Sequence, residues 1–384
     1  MKYISDELKN IKEAGLYRKL NVVGSAQGTY LKINGREYLS FCSNNYLGLA
    51  NNPLVVKAVK DAVEKYGWGA GASRLVSGNM ELHEALEDEI SRFKGKEASI
   101  VFSTGYMANI GAISSLVSKG DLVICDKLNH ASIIDGCRLS GADFRVYPHC
   151  DIEKLENILR KSAKYSHKLI VTDTVFSMDG DLAPLPDIVR IASKYKAMVM
   201  VDEAHGTGVF GEKGSGVVEH FNLSKKINIV MGTLSKAVGS MGGYVSGEAG
   251  LIDFLRNKAR SFMYTTALPP AVCAASIAGI KLIQKDHSLR TSLWHNVRYL
   301  NVKLKLLNFN VISSESPIIP ILIGDAKKAV NVSKFLHKEG ILIPAIRPPT
   351  VPARSSRLRM TVMSTHTKED MERLLDVLRE VQDL

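Results

Sequence analysis

Two short apolar runs end in residues that could do chemistry. Ala197-Met-Val-Met-Val stops abruptly at Asp202, Glu203 and, three residues beyond the aspartate, His205. Ile227-Asn-Ile-Val-Met leads into Thr233, Ser235, Lys236 and a run of glycines. In open α/β sheets ligands gather at the carboxyl ends of strands. A carboxylate there could meet a metal, a ribose hydroxyl or a protonated heterocycle, and His205 could face that ligand or simply be a packed core histidine. A lysine in such surroundings loses hydration, which favours the neutral amine that Schiff-base chemistry needs. The plainer alternative, a phosphate-binding lysine in a glycine-rich loop, does not match the P-loop pattern, because Lys236 precedes the glycines.

An aspartate at one strand end and a lysine at the next point together to pyridoxal phosphate, which uses a Schiff-base lysine and a carboxylate that keeps its pyridine nitrogen protonated. That cofactor also needs an anion cradle. Phe102-Ser-Thr-Gly-Tyr-Met supplies one if a helix begins at Gly105, since free backbone N–H groups and the helix dipole then face the phosphate; a simple helix cap reads the same way. His130, in DKLNHAS, could stack on a ring or be a surface or capping residue. Ser177, in VFSMDGD, could donate to a ring oxygen.

These residues need elements to hold them. From about Pro53 onward helical patterns alternate with short apolar runs at 98–102, 122–125, 144–147, 169–172, 197–201, 227–231 and 244–245. Such β/α alternation predicts a mostly parallel seven-stranded sheet covered by helices. Ahead of it, residues 4–20 have helical spacing, and Asn34-Gly35 between two β-like runs predicts a hairpin. Beyond Leu268-Pro-Pro, helical patterns run to about Leu307, with one long helix over 284–306. Strands near 317–323, 341–346 and 357–363 and a helix from Lys368 make a smaller α/β unit. The expected division is an N-terminal arm over 1–45, a large cofactor-binding domain over 46–283 and a small α/β domain over 284–384.

Composition narrows the classes further. The 384 residues are 45% hydrophobic and 23% charged, an ordinary globular profile that excludes disordered, collagenous and coiled-coil chains. No apolar stretch approaches the roughly 20 residues of a membrane helix, and the start lacks an apolar leader core. Five cysteines without CxxC spacing argue against a disulfide framework or zinc ribbon, and a cytoplasmic location is expected. The net charge of +11 is dispersed, with no basic run, so a phosphate-bearing small molecule fits better than nucleic acid. A metal hydrolase built on Asp202, His205 and His130, and a nucleotide-binding protein, are the competing classes. The latter lacks a GxGxxG after the first sheet strand.

SNNYLGL, GAGASRLVSG, DKLNHAS, VFSMDGD, VDEAHGTGV and GTLSK follow in this order from Ser43 to Lys236. That ordered set resembles the α-oxoamine synthases, fold-type I pyridoxal phosphate enzymes that join an amino acid to an acyl thioester with loss of carbon dioxide. The resemblance runs from about residue 18 to 380. It implies that Lys236 is the Schiff-base lysine, Asp202 the partner of the pyridine nitrogen and His130 the stacking residue, with Ser177 and His205 at the ring hydroxyl. Gly105, Tyr106 and Thr233 would hold the phosphate, joined by Thr265 or Thr266 from a second copy in a homodimer with shared sites. Asn44, Arg18, Arg359 and Thr350 match substrate-binding positions. No metal is implied. Within the family, the Arg347-Pro-Pro-Thr-Val-Pro segment resembles most the biotin-pathway branch, which condenses L-alanine with a pimeloyl group carried on coenzyme A or acyl carrier protein. The glycines of GTLSKAVGSMGGY are placed as in the branch that acetylates glycine, which stays as the alternative.

Overall fold

Leu122–Asp126 and Ile229–Thr233 are buried at every position, as strands covered on both faces must be. The computed structural model describes residues 1–13, 16–17, 20–312 and 315–381. Among these, thirteen strands follow in order: β1 (Tyr30–Ile33), β2 (Arg36–Ser40), β3 (Ala98–Phe102), β4 (Leu122–Asp126), β5 (Asp143–Tyr147), β6 (Lys168–Asp173), β7 (Met198–Asp202), β8 (Ile229–Thr233), β9 (Gly243–Gly247), β10 (Ile318–Gly324), β11 (Ile341–Leu342), β12 (Ala345–Ile346) and β13 (Ser356–Thr361). The large sheet has seven strands in the order β3-β9-β8-β7-β6-β4-β5. Only β9 runs antiparallel to its neighbours. The expected fold class is therefore the observed one.

Alternate strand residues feed two cores. Ile100, Phe102, Leu169, Val171, Met200, Ile229 and Met231 pack on one face against the helices Gly105–Leu116, Ala131–Leu139 and Ala249–Lys258. Val101, Leu122, Ile124, Ile170, Val199, Val201 and Val230 pack on the other against Glu81–Lys94, Leu185–Lys194 and Pro270–Lys285. Each such side chain contributes about 1.5–3 kcal/mol on leaving water. This two-sided burial holds the strand ends in register, with Asp173 opposite Asp202 and Asp202 opposite Met231.

Two small sheets complete the molecule. The hairpin turns at Asn34 and Gly35, with φ of 50° and 82°, the doubly positive pair of a type I′ turn. Its strand β2 pairs in parallel with β11, so segments from the 1–45 and 284–384 stretches meet in one sheet. We retain the three-part division at those bounds as a proposal.

Three local expectations change. The strand expected over 341–346 is split between two sheets, β11 on β2 and β12 on β13. Pro344 lies between them, where a residue without an N–H cannot extend a ladder. The helix expected over 284–306 starts slightly later, at His287, and runs to Leu306; Asp286 separates it from Pro270–Lys285, and its carboxylate caps the later helix by accepting from the Ser288 N–H at 3.0 Å. The first helix spans Lys2–Glu13 and buries none of its residues.

Candidate active site

The parallel strands β4, β6, β7 and β8 end on one rim, and a cavity of about 250 Å³ opens there. Asp202, the last residue of β7, is 3% exposed. Its Oδ2 accepts from Asn109 Nδ2 at 2.8 Å and its Oδ1 from the Ala204 N–H at 2.8 Å. Asp173 ends β6 beside it and accepts from the His130 N–H at 2.7 Å. Burial and the neighbouring Asp202 charge push the Asp173 carboxyl well above the usual range. The Asp202 carboxylate is thus held in place by two donors, while Asp173 beside it favours its neutral form.

Lys236 follows β8 and reaches the same cavity. Burial lowers its pKa from 10.5 to about 8, with Asp202 and Asp173 opposing and Arg359 adding to the shift. Its Nζ lies 2.9 Å from His205 Nε2, and His205 Nδ1 lies 2.7 Å from the Tyr46 hydroxyl. Burial, with the positive charges of Lys236 and Arg359, holds the His205 imidazole well below its usual pKa, so it is neutral. With Lys236 donating to Nε2, Nδ1 carries the proton and donates to Tyr46, whose hydroxyl donates to Asn44 Oδ1 at 3.3 Å. Arg359, on β13, donates from Nη2 to the same Asn44 oxygen at 3.3 Å and from Nε to the Ser177 carbonyl at 2.6 Å.

The anion end is built from glycine. Gly105 opens the helix Gly105–Leu116, capped by Thr104 Oγ1, which accepts from the Met107 N–H at 3.1 Å. The N–H groups of Gly105 and Tyr106 lie in the first turn, where no preceding helical carbonyl can accept from them. A Cβ on Gly105 would lie 3.1 Å from Met231 Cε and 3.3 Å from Thr233 Cβ, so a larger residue would fill the cradle. Thr233 Oγ1 donates to the Gly242 carbonyl at 2.8 Å and sits 2.8 Å from Ser235 Oγ. Asn109 Oδ1, on the amide that meets Asp202, is buried without a hydrogen-bond partner. An anion cradle at one end, a carboxylate at the other and an amine between them fit pyridoxal phosphate.

Of the residues expected from the sequence, Lys236, Asp202, His205, His130, Ser177, Gly105, Tyr106 and Thr233 all line this cavity. Thr265 and Thr266 do not; they line a separate small cleft with Arg74 and His83. Thr350 lines an adjoining cavity of about 480 Å³ that shares His130 and Ser177 with the first. Arg18 lies outside the described residues. His205 spends both ring nitrogens on Tyr46 and Lys236, an arrangement unlike a metal ligand. Sequence reasoning missed Asn109, Tyr46 and Asp173. Asn109 had a legible signal, since it sits four residues after Gly105 and so one turn along the same helix face.

The sequence profile described as Aminotransferase class I and II matches residues 36–378. The chain belongs to that family. It is 49% identical over 380 residues, 99% of this chain and 96% of the relative, to the 8-amino-7-oxononanoate synthase of Thermoanaerobacter pseudethanolicus. Among solved structures, the serine palmitoyltransferase of Sphingomonas wittichii superposes with a TM-score of 0.94 at 34% identity, over 100% of this chain and 96% of that one. The 8-amino-7-oxononanoate synthase of Francisella tularensis gives a TM-score of 0.78 at 30% identity, over 90% and 98%. Both solved structures thus share the overall fold of this chain. No helix among the described residues is long and apolar enough to cross a membrane.

Proposed function

We infer that this chain is a pyridoxal phosphate-dependent acyltransferase that condenses L-alanine with a pimeloyl thioester. The products are 8-amino-7-oxononanoate, carbon dioxide and the free thiol, a step of biotin biosynthesis. The observation that carries the reading is the Lys236 amine and the Asp202 carboxylate converging on one cavity whose far end is the Gly105 helix start. The name of the 49% identical relative supports the choice of acyl chain and amino acid.

Bound in the cavity, pyridoxal phosphate supplies a carbonyl that captures amines and an electron sink for bonds broken at Cα. Lys236 would hold that carbonyl and, as a free amine, would take a proton from Cα and return one; an amine with a pKa near 8 is suited to both directions. Asp202 would keep the pyridine nitrogen protonated, and Asn109, donating to its Oδ2 at 2.8 Å, holds the carboxylate in place. His130 would stack on the ring, and Ser177 and the neutral His205 would serve its hydroxyl. Gly105, Tyr106 and Thr233 would hold the phosphate. Arg359 and Asn44 hold the amino-acid carboxylate, already bonded to each other at 3.3 Å. Thr350, in the adjoining cavity, lies where an acyl chain would extend from His130 and Ser177.

The protein acts as a homodimer with shared sites. Ser73 bridges Thr266, and Trp68, Leu75, Val76 and Tyr264 around these segments are exposed at 67, 51, 80 and 70%. A second copy covering this apolar surface would bring Thr265 or Thr266 to the neighbouring phosphate. We place the chain in the cytoplasm, where its five free cysteines stay reduced.

The deciding experiment loads the protein with pyridoxal phosphate and offers L-alanine with pimeloyl-coenzyme A or pimeloyl carrier protein. One carbon dioxide per free thiol, with 8-amino-7-oxononanoate, is expected. Turnover of glycine with acetyl-coenzyme A, and none of alanine with either pimeloyl donor, sinks the reading.

A further inference from the structure

One charged arrangement has no part in the chemistry above. The turn after β5 inserts His149 between two carboxylates: Nδ1 bonds Asp126 Oδ1 at 3.0 Å and Nε2 bonds Asp181 Oδ2 at 2.7 Å. A ring that donates from both nitrogens to carboxylates is an imidazolium. Burial opposes that charge, and the bonds to Asp126, Asp181 and Cys150 override it, raising the pKa from 6.5 to about 12. The next residue, Cys150, holds a left-handed φ of 54°, and its N–H donates to Asp126 Oδ2 at 2.7 Å, fastening the turn beside the ring.

Each carboxylate belongs to a different active-site loop. Asp126 ends β4, and its Oδ1 also accepts from the Leu128 N–H at 2.8 Å, shaping the turn that delivers His130. Asp181 closes the other loop, where its carbonyl accepts from the Phe176 N–H at 3.1 Å, just ahead of Ser177. The Phe176 ring meets His149 edge to face, with centroids 4.4 Å apart at 90°. Asp126, His149 and Cys150 are near enough to ligate an ion. Both ring nitrogens and both Asp126 oxygens are already bonded as above, however, so protons occupy the places a metal would take.

We propose that His149 is a positioning residue, a cationic clasp that ties the His130 loop to the Ser177 loop and sets the gap into which the cofactor ring fits. The inference rests on the cofactor site proposed above. It does not depend on the acyl donor, so cofactor readouts test it separately from the choice of substrate.

The test compares His149→Ala and His149→Gln with Leu378→Ala, a fully buried site in the closing helix, as a control destabilised without touching either loop. Cofactor affinity is measured by fluorescence titration, and ring orientation by the visible circular dichroism of the bound cofactor. His149→Ala is expected to weaken cofactor binding about tenfold, as loss of charge-assisted bonds would, and to reduce the visible dichroism. His149→Gln, whose amide can donate to one carboxylate, is expected to fall between it and the unmodified protein. Unchanged affinity and dichroism in His149→Ala would overturn the proposal. So would equal changes in Leu378→Ala, because the effect would then be general loss of stability.

Discussion

The Nζ of Lys236 and the Nε2 of His205 lie 2.9 Å apart, one nitrogen lowered to a pKa of about 8 and the other held well below its usual value. Burial is the first cause of both shifts: the imidazole is neutral at neutral pH, and the amine, though still mostly protonated there, loses its proton more readily than an ordinary lysine. The pair therefore presents an amine within about one pH unit of its reactive form and a neutral imidazole, held by Tyr46, that accepts from it.

From this follows a pH dependence of cofactor capture. Only the neutral amine attacks a carbonyl, so the rate at which the cofactor-free protein takes up pyridoxal phosphate should rise about tenfold per pH unit below 8 and level off above it. Stopped-flow absorbance would follow the reaction. A rate still climbing at pH 10, as for an ordinary lysine, would show that burial does not act on Lys236.

Asn109 contributes through Asp202. Removing its amide takes away the donor at 2.8 Å from a buried carboxylate oxygen, and a hydrogen bond to a charged group is worth about 1.5–3 kcal/mol. Asn109→Ala should lower kcat/KM roughly 10- to 100-fold. Asn109→Asp should do worse, because it sets a like charge beside Asp202. Steady-state kinetics on both variants would check the order.

For Arg359 the expected signature is a split between constants. Its guanidinium bonds the Ser177 carbonyl and Asn44 at once, a fork that an ammonium cannot reproduce. Arg359→Lys should raise the KM for the amino acid about tenfold with a smaller change in kcat. A fall in kcat at unchanged KM would assign Arg359 to the chemical step instead.

Stability should have an acid limb set by His366. Its Nδ1 accepts from the Met363 N–H at 3.0 Å, its Nε2 lies 3.0 Å from the Ser40 carbonyl, and it stacks on Phe41. Burial lowers its pKa from 6.5 to about 4. A depressed folded-state pKa means that the unfolded chain binds the proton first, so this contribution is present above pH 6.5 and is lost as pH falls toward 4. The loss should reach roughly 3 kcal/mol, from about 1.4 kcal/mol per pKa unit. Urea midpoints over this range should fall more steeply for the parent protein than for His366→Gln.

The strand runs and the residues that terminate them were written in the sequence, because two-sided burial demands continuous apolar segments and a ligand site demands polar residues at their ends. Asp202, Lys236 and Gly105 were readable for that reason. The type I′ turn at Asn34-Gly35 was equally local, since few residues tolerate two positive φ angles in succession. The split of 341–346 was less legible: Pro344 marks a break, but which sheet each half joins depends on β2 and β13, both remote in sequence.

What the tertiary structure alone decided is the set of second partners. Asn109 meets Asp202, Tyr46 meets His205 and His149 joins Asp126 to Asp181, each across a chain separation that no spacing rule covers. Periodicity reports which face of an element is buried. It does not report which polar atom from another element fills the last hydrogen-bond position there, nor which charges share the same buried space, and burial beside those charges sets the protonation of Lys236, His205 and Asp173.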